Sequence, residues 1–235
     1  MFRFITSLYF FNDLLIWIIA ILFPPIAVHN IGKYFALKKA FYLTTIDGVK
    51  GDYVEFGVFT GSSMSCAFRC ARTTRLGKLQ ETSRFFGFDS FEGFGDISDK
   101  DRHPFFTDEN FAVSLINVQK RLNRIKRPNQ TLRLVKGFFS KTLDGKTPST
   151  YKIQKSSVVL IDCDTYNAAQ SCFRFIGPVI QEGTIIIIDD FYSYKGNSRK
   201  GTYGAFKDFL KEYNKYQFRR IFDYGIGGIS YIAYK

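Results

Sequence analysis

From Lys50 to the C-terminus the chain predicts an α/β fold built on a seven-stranded, mostly parallel sheet with helices on both faces. Three observations predict it. Short runs rich in β-branched and aromatic residues alternate with longer helical segments, the pattern of strands joined by crossovers. Two of the runs, Ser157 to Ile161 and Thr184 to Ile188, are almost continuously apolar or β-branched, as strands covered on both faces are. Several runs close on glycine or an acid, at the strand ends where open parallel sheets bind their ligands.

Taken in chain order, the first element stands apart. From Phe4 to Val28 the sequence is almost wholly apolar, broken by Thr6, Ser7, Asn12, Asp13 and the Pro24-Pro25 pair. Its uninterrupted stretch, Leu14 to Phe23, is about half of what a spanning helix needs, and Asp13 would cost roughly 2.5–3.5 kcal/mol at mid-bilayer. No small-x-small cleavage site follows, which argues against a signal peptide. Two readings stay open: an interfacial anchor flanked by Arg3 and by Lys33, Lys38 and Lys39, or a hydrophobic helix covering another surface of the fold. Residues 1–30 are therefore set apart as an apolar N-terminal segment, with residues 31–235 as the main domain.

The predicted strands are Tyr53 to Val58, Arg84 to Asp89, Thr131 to Val135, Ser157 to Asp162, Gly183 to Asp189, Gln217 to Phe222 and Gly228 to Ala233. Helical periodicity is clearest over Ser62 to Arg72, Ala112 to Ile125, Ala168 to Ile180 and Tyr203 to Tyr213. The last two strands are nearly adjacent through the turn Asp223 to Gly227, which predicts one antiparallel strand at the end of the sheet.

Composition narrows the partners. The 235 residues carry 33 Lys and Arg against 21 Asp and Glu, a net charge of +12, so an anionic partner has to be weighed. Lys120, Arg121, Arg124, Lys126, Arg127, Arg133, Lys136 and Lys141 form a stretch without an acid, either a solvated face or a patch for anionic lipid or saccharide. Nucleic acid is disfavoured, because the aromatics lie in core-like strands and are not interleaved with this run. Cys66, Cys70, Cys163 and Cys172 form no CxxC pair, and with only His29 and His103 as further soft ligands they read as buried free thiols.

The strand ends carry the chemistry. Glu55-Phe56-Gly57-Val58-Phe59-Thr60-Gly61-Ser62 is a strand-to-helix turn whose glycines let backbone approach a ligand and whose helix offers free N–H groups. It lacks the GxGxxG and GK[ST] spacings of dinucleotide and P-loop sites. Asp89 closes the second strand, where an acid either accepts hydrogen bonds from a ribose diol or caps the next turn. Asp162 and Asp164 follow the fourth strand, and Asp189 and Asp190 close the fifth. Carboxylates so gathered raise one another's pKa unless a cation sits among them, and a hard divalent ion such as magnesium is the simplest compensation. Pairing of these acids with Lys195, Arg199 or Lys200 is the structural alternative.

Glu55-x-Gly57-Val58-Phe59-x-Gly61-Ser62, Phe88-Asp89-Ser90-Phe91-Glu92-Gly93, Phe111-Ala112-Val113-Ser114-Leu115, Gly137-Phe138-Phe139-x-x-Thr142-Leu143, Asp162-x-Asp164-x-Tyr166 and Asp189-Asp190-Phe191 occur in that order. Together they resemble the macrocin O-methyltransferase (TylF/MycF) family of class I S-adenosylmethionine-dependent methyltransferases, over roughly Lys39 to the C-terminus. The resemblance implies a Rossmann-like class I methyltransferase fold and methyl transfer from S-adenosylmethionine to a hydroxyl, most simply on a sugar of a glycoside or polysaccharide. It implies that Glu55, Gly57, Gly61 and Ser62 surround the methionine part of the cofactor, that Asp89 holds the ribose, and that Ser90, Gly137 and Phe138 flank the adenine. It also implies that Asp162, Asp189 and Asp190 hold Mg2+. The acid spacing is similar to that of catechol-type enzymes, but Thr165 stands where those have a lysine base. A histidine ahead of the Val-Ser-Leu segment is the family's implied base; here His103 stands several residues early, with Asp108 and Glu109 as alternatives.

The expectations are thus an enzyme with a small-molecule or saccharide acceptor, cytoplasmic or held at a membrane through residues 1–30, and open to homo-oligomer formation. The acceptor pocket is expected from the loops Asp96 to Asn110 and Phe191 to Thr202. Two alternatives are weighed: a nucleic-acid methyltransferase, and a non-catalytic protein that keeps the fold and binds a membrane surface.

Overall fold

The computed structural model describes residues 2–73, 84–95, 97–99, 101–106 and 111–235, with side chains described over 8–71 in the first of these ranges. Seven strands, β1 (Asp52–Phe56), β2 (Arg84–Asp89), β3 (Thr131–Lys136), β4 (Ser156–Ile161), β5 (Ile185–Ile188), β6 (Gln217–Tyr224) and β7 (Gly228–Tyr234), form one sheet in the order β3-β2-β1-β4-β5-β7-β6. β7 pairs antiparallel with both β5 and β6, while every other pairing is parallel. The antiparallel strand is therefore inside the sheet and not at its end. The short turn after β6 returns β7 into the gap beside β5, and β6 is left as the edge.

Among the described residues seven α-helices accompany the sheet: α1 (Phe2–Leu22), α2 (Pro25–Ile46), α3 (Ser62–Thr73), α4 (Leu115–Ile125), the single turn α5 (Phe139–Thr142), α6 (Tyr166–Ile176) and α7 (Gly201–Glu212). Successive strand side chains alternate between faces, and the two cores follow that period. Tyr53, Phe85, Val158, Leu160, Ile185 and Ile187 pack under α2, α3 and α4. Val54, Phe56, Phe88, Val159, Ile186 and Ile188 face the opposite core with α6 and α7.

Several boundaries differ from the periodicity. Ala112 forms an isolated bridge to Glu92, so α4 begins at Leu115. Pro178 cannot continue a helix, and α6 gives way to a 3-10 turn over Gly177–Val179. The division between residues 1–30 and 31–235 falls within α2, a single helix with Pro25 at its first position. α2 buries Ala36, Leu37, Ala40 and Phe41 and packs on α3 and across β4, β5 and β6. Two glycines allow its close approach: a Cβ at Gly32 would lie 2.3 Å from the Gly225 nitrogen, and one at Gly225 (φ +53°) 2.7 Å from His29 Nδ1.

Candidate active site

The strand ends converge through backbone bonds. Gly57 N donates to Phe88 O, Asp162 N to Phe56 O and Asp189 N to Ile161 O, at 2.9, 2.9 and 2.8 Å, so each strand tip is held to its neighbour. Gly57 has φ +87°, and a Cβ there would lie 1.7 Å from Asp162 O, so only glycine lets the loop after β1 pass this close to β4. The loop bends round a cavity of about 910 Å³ at the carboxyl edge of the sheet.

Asp89 organises that loop. Its Oδ2 accepts the N–H groups of Val58 and Phe59 at 2.7 and 2.8 Å, and its Oδ1 accepts Phe91 N–H at 2.6 Å. Burial pushes its carboxyl above the ordinary range, against those three bonds. Asp89 lines the cavity while serving as the cap of two turns. Glu55 lies beneath the loop, fully buried, accepting Tyr53 OH at 2.6 Å and Ser63 Oγ at 2.5 Å. Burial pushes its carboxyl up to about 7, opposed by these two hydroxyls. Ser90 donates to Gly93 O at 2.5 Å, closing the turn after β2.

The acid cluster is the most charged part of the cavity. Asp162, Asp189 and Asp190 each offer a carboxylate oxygen within 4.8 Å of the others. Asp164 (φ +62°) and Asp190 (φ +50°) are non-glycine residues in the left-handed region, a conformation kept where the surroundings enforce it. α2 brings two partners, a lysine and a histidine, from far along the chain. Lys33 Nζ stands 2.7 Å from Asp162 Oδ2 and 2.5 Å from Asp189 Oδ2, and His29 Nε2 stands 3.0 Å from the same Asp189 oxygen. His29 Nδ1 accepts Ile226 N–H, which assigns the proton to Nε2 as the donor to Asp189. Burial opposes the charge on Lys33, but Asp162 and Asp189 outweigh it and hold the ammonium well above its usual range. Burial likewise works against ionised Asp189, yet Lys33 and His29 hold its carboxyl well below the usual range. Burial, then the Asp190 charge, pushes Asp164 well up.

The donor set fits a hard divalent ion. Three carboxylates converge, and the buried Asp189 Oδ1 has no hydrogen-bond partner among the described residues. Lys33 competes for the other oxygen of Asp189 and for Asp162.

Of the residues singled out from sequence, Gly57, Ser62, Asp89, Ser90, Phe138, Asp162, Asp189 and Asp190 come together on this one cavity. Glu55, Gly61 and Gly137 lie off its wall, where they support the loops. His103 is also off the wall: its Nδ1 accepts Phe105 N–H, and its ring stacks at 4.3 Å on Phe106, which does line the cavity. Asp108 and Glu109 lie outside the described residues. Sequence reasoning missed Lys33 and His29 as site residues. Their only signal was two polar positions four apart in an apolar leader, on one face of a helix.

The family described as Macrocin-O-methyltransferase (TylF) matches residues 21–214. The chain belongs to this family. The match starts near the end of α1, well before Lys39, so α2 with His29 and Lys33 falls inside the family region. Mycinamicin III 3''-O-methyltransferase of Micromonospora griseorubida is 29% identical over 154 residues, 62% of this chain and 57% of that protein. The 8-demethyl-8-(2,3-dimethoxy-alpha-L-rhamnosyl)-tetracenomycin-C 4'-O-methyltransferase of Streptomyces olivaceus is 29% identical over 154 residues, 62% of this chain and 54% of that protein. The matched stretch thus spans little more than half the length of these curated relatives. The O-methyltransferase NovP superposes with a TM-score of 0.69 at 19% identity, over 87% of this chain and 81% of that one, a likeness of fold. The sheet order and these comparisons make the fold the Rossmann-like one of class I methyltransferases.

Proposed function

We propose that this chain is an S-adenosylmethionine-dependent O-methyltransferase whose acceptor is a sugar hydroxyl of a glycoside, with Mg2+ as helper ion. The observation that carries the reading is the single cavity joining the loop after β1, Asp89 and the Asp162, Asp189 and Asp190 carboxylates. Both curated relatives are O-methyltransferases, and the name of one specifies a rhamnosyl compound.

The reaction is an in-line displacement at a sulfonium methyl by a hydroxyl oxygen, so the protein has to align two reactants and accept a proton. The glycine-bearing loop and the N-terminus of α3 hold the cofactor's amino-acid end, and Asp89 keeps that loop closed. Asp162, Asp189 and Asp190 would hold the divalent ion, which when bound lowers the acceptor hydroxyl's pKa and fixes its position. We assign the proton to Asp164, a carboxylate on the wall of the same cavity. Asp89 and Asp101 are committed to backbone N–H groups, and Asp162 and Asp189 to Lys33. A divalent ion held by Asp162, Asp189 and Asp190 would oppose the upward push that burial and Asp190 exert on Asp164. His103, the base that the resemblance implies, stands off the wall with its ring against Phe106.

Calorimetric titration with S-adenosylhomocysteine tests the reading. Wild type is expected to bind, and Asp89→Ala to bind at least tenfold more weakly, since three charge-assisted bonds to the loop are lost. No binding by a folded wild type would overturn it.

A further inference from the structure

Every large apolar residue from Leu8 to Phe23 except Ile18 is exposed, by 40–67%. Leu14 to Phe23 are ten consecutive apolar positions, enough to carry apolar side chains round the whole circumference of α1. A helix apolar all round requires apolar surroundings on every side, which a stripe on one partner does not supply. No single helix among the described residues is long and apolar enough to cross a membrane, but α1 and α2 together pass that test as a pair bent by 78°.

α2 continues the same surface. While its inner face is buried on the sheet, its outer face exposes Val28, Ile31, Phe35, Tyr42 and Ile46, spaced as one helical stripe. The exposed Lys38 and Lys39 flank that stripe, as lysines do at a lipid headgroup boundary. Asp13 is the lone acid in the first 46 residues of a chain with net charge +12. The surface also ends at the cavity: Ile26, four residues beyond α1, lines it together with His29 and Asn30. Ile26, Phe59 and Phe105 make an exposed apolar rim there.

We propose that α1 and the outer stripe of α2 form one docking surface for an anionic phospholipid bilayer, with α1 in the apolar layer and α2 along the headgroups. The mouth of the active-site cavity then opens at the membrane surface.

Trp17, on α1, is the only tryptophan in the chain and reports the docking directly. With the full chain and vesicles of phosphatidylglycerol and phosphatidylcholine, Trp17 emission is expected to shift to the blue and to be quenched by brominated acyl chains. Lys38→Ala and Lys39→Ala are each expected to weaken vesicle partition about fivefold. Emission unchanged by vesicles would overturn the proposal. So would emission already blue-shifted without lipid in a chain that sediments as a dimer, which would assign the surface to a second copy. No arm reads methyl transfer, so the outcome is separate from that of the proposed activity.

Discussion

Lys33 performs with an ammonium what a divalent ion would do with two charges, and the acid cluster is held together by this choice. Replacing it by methionine takes the ammonium from Asp162 and leaves Asp189 with His29 alone, which costs about 3–5 kcal/mol in the folded apoprotein. The same change frees Asp162 and Asp189 for metal. Lys33→Met should therefore lower the melting temperature without metal and raise Mg2+ affinity at least tenfold by calorimetry; unchanged affinity would show that lysine and metal do not share these oxygens. Glu55 gives a second residue-scale prediction. Its folded pKa is pushed up from 4.5 to about 7, so the protonated folded state is favoured. That stabilisation is complete below the unfolded value and is lost as pH rises through the folded one. Between pH 4.5 and 7, wild type should lose about 3 kcal/mol relative to Glu55→Gln in denaturant melts. Parallel curves would place the Glu55 carboxyl in a wetter environment.

At the scale of elements, α2 decides the site. It is a buried member of the sheet's helical layer on one side, a source of cavity residues at its first turns and an apolar surface on the other side. Its seat depends on Gly32 lying against the turn between β6 and β7, where a Cβ would meet the Gly225 backbone at 2.3 and 2.7 Å. Backbone cannot move aside as a flexible side chain can, so Gly32→Ala should destabilise by about 1–3 kcal/mol and lower the melting temperature by several degrees in calorimetry. An unchanged melting temperature would mean that α2 is not seated on this turn. The placement of β7 belongs to the same scale. Hairpin adjacency to β6 was visible in the chain, but its insertion beside β5 depends on which edge β5 leaves open.

For the whole molecule, the cavity draws on residues from Ile26 to Asp190, across α2 and the tips of β1, β2, β4 and β5, so a ligand that fills it should stabilise the fold as a unit. At one hundred times its Kd, S-adenosylhomocysteine would contribute about 2.7 kcal/mol, a rise of roughly 5–10 °C in the melting temperature of a domain this size. A rise under about 1 °C at that saturation would separate the cavity from the cooperative core. The order of strands and crossovers could be read from residues near in the chain. Runs such as Thr184 to Ile188 report burial on two faces whatever lies against them, and Asp89, Asp162 and Asp189 report strand ends by following such runs. The partners of those acids could not be read in this way. Asp89 sits where a ribose ligand or a cap would sit, and the fold commits it to three backbone N–H groups. His29 and Lys33 looked like the polar margin of an apolar leader, yet they stand against acids 160 and 129 residues away. Periodicity records how a segment meets its own neighbours; contacts at such separations exist only once the sheet has closed and α2 has docked across it.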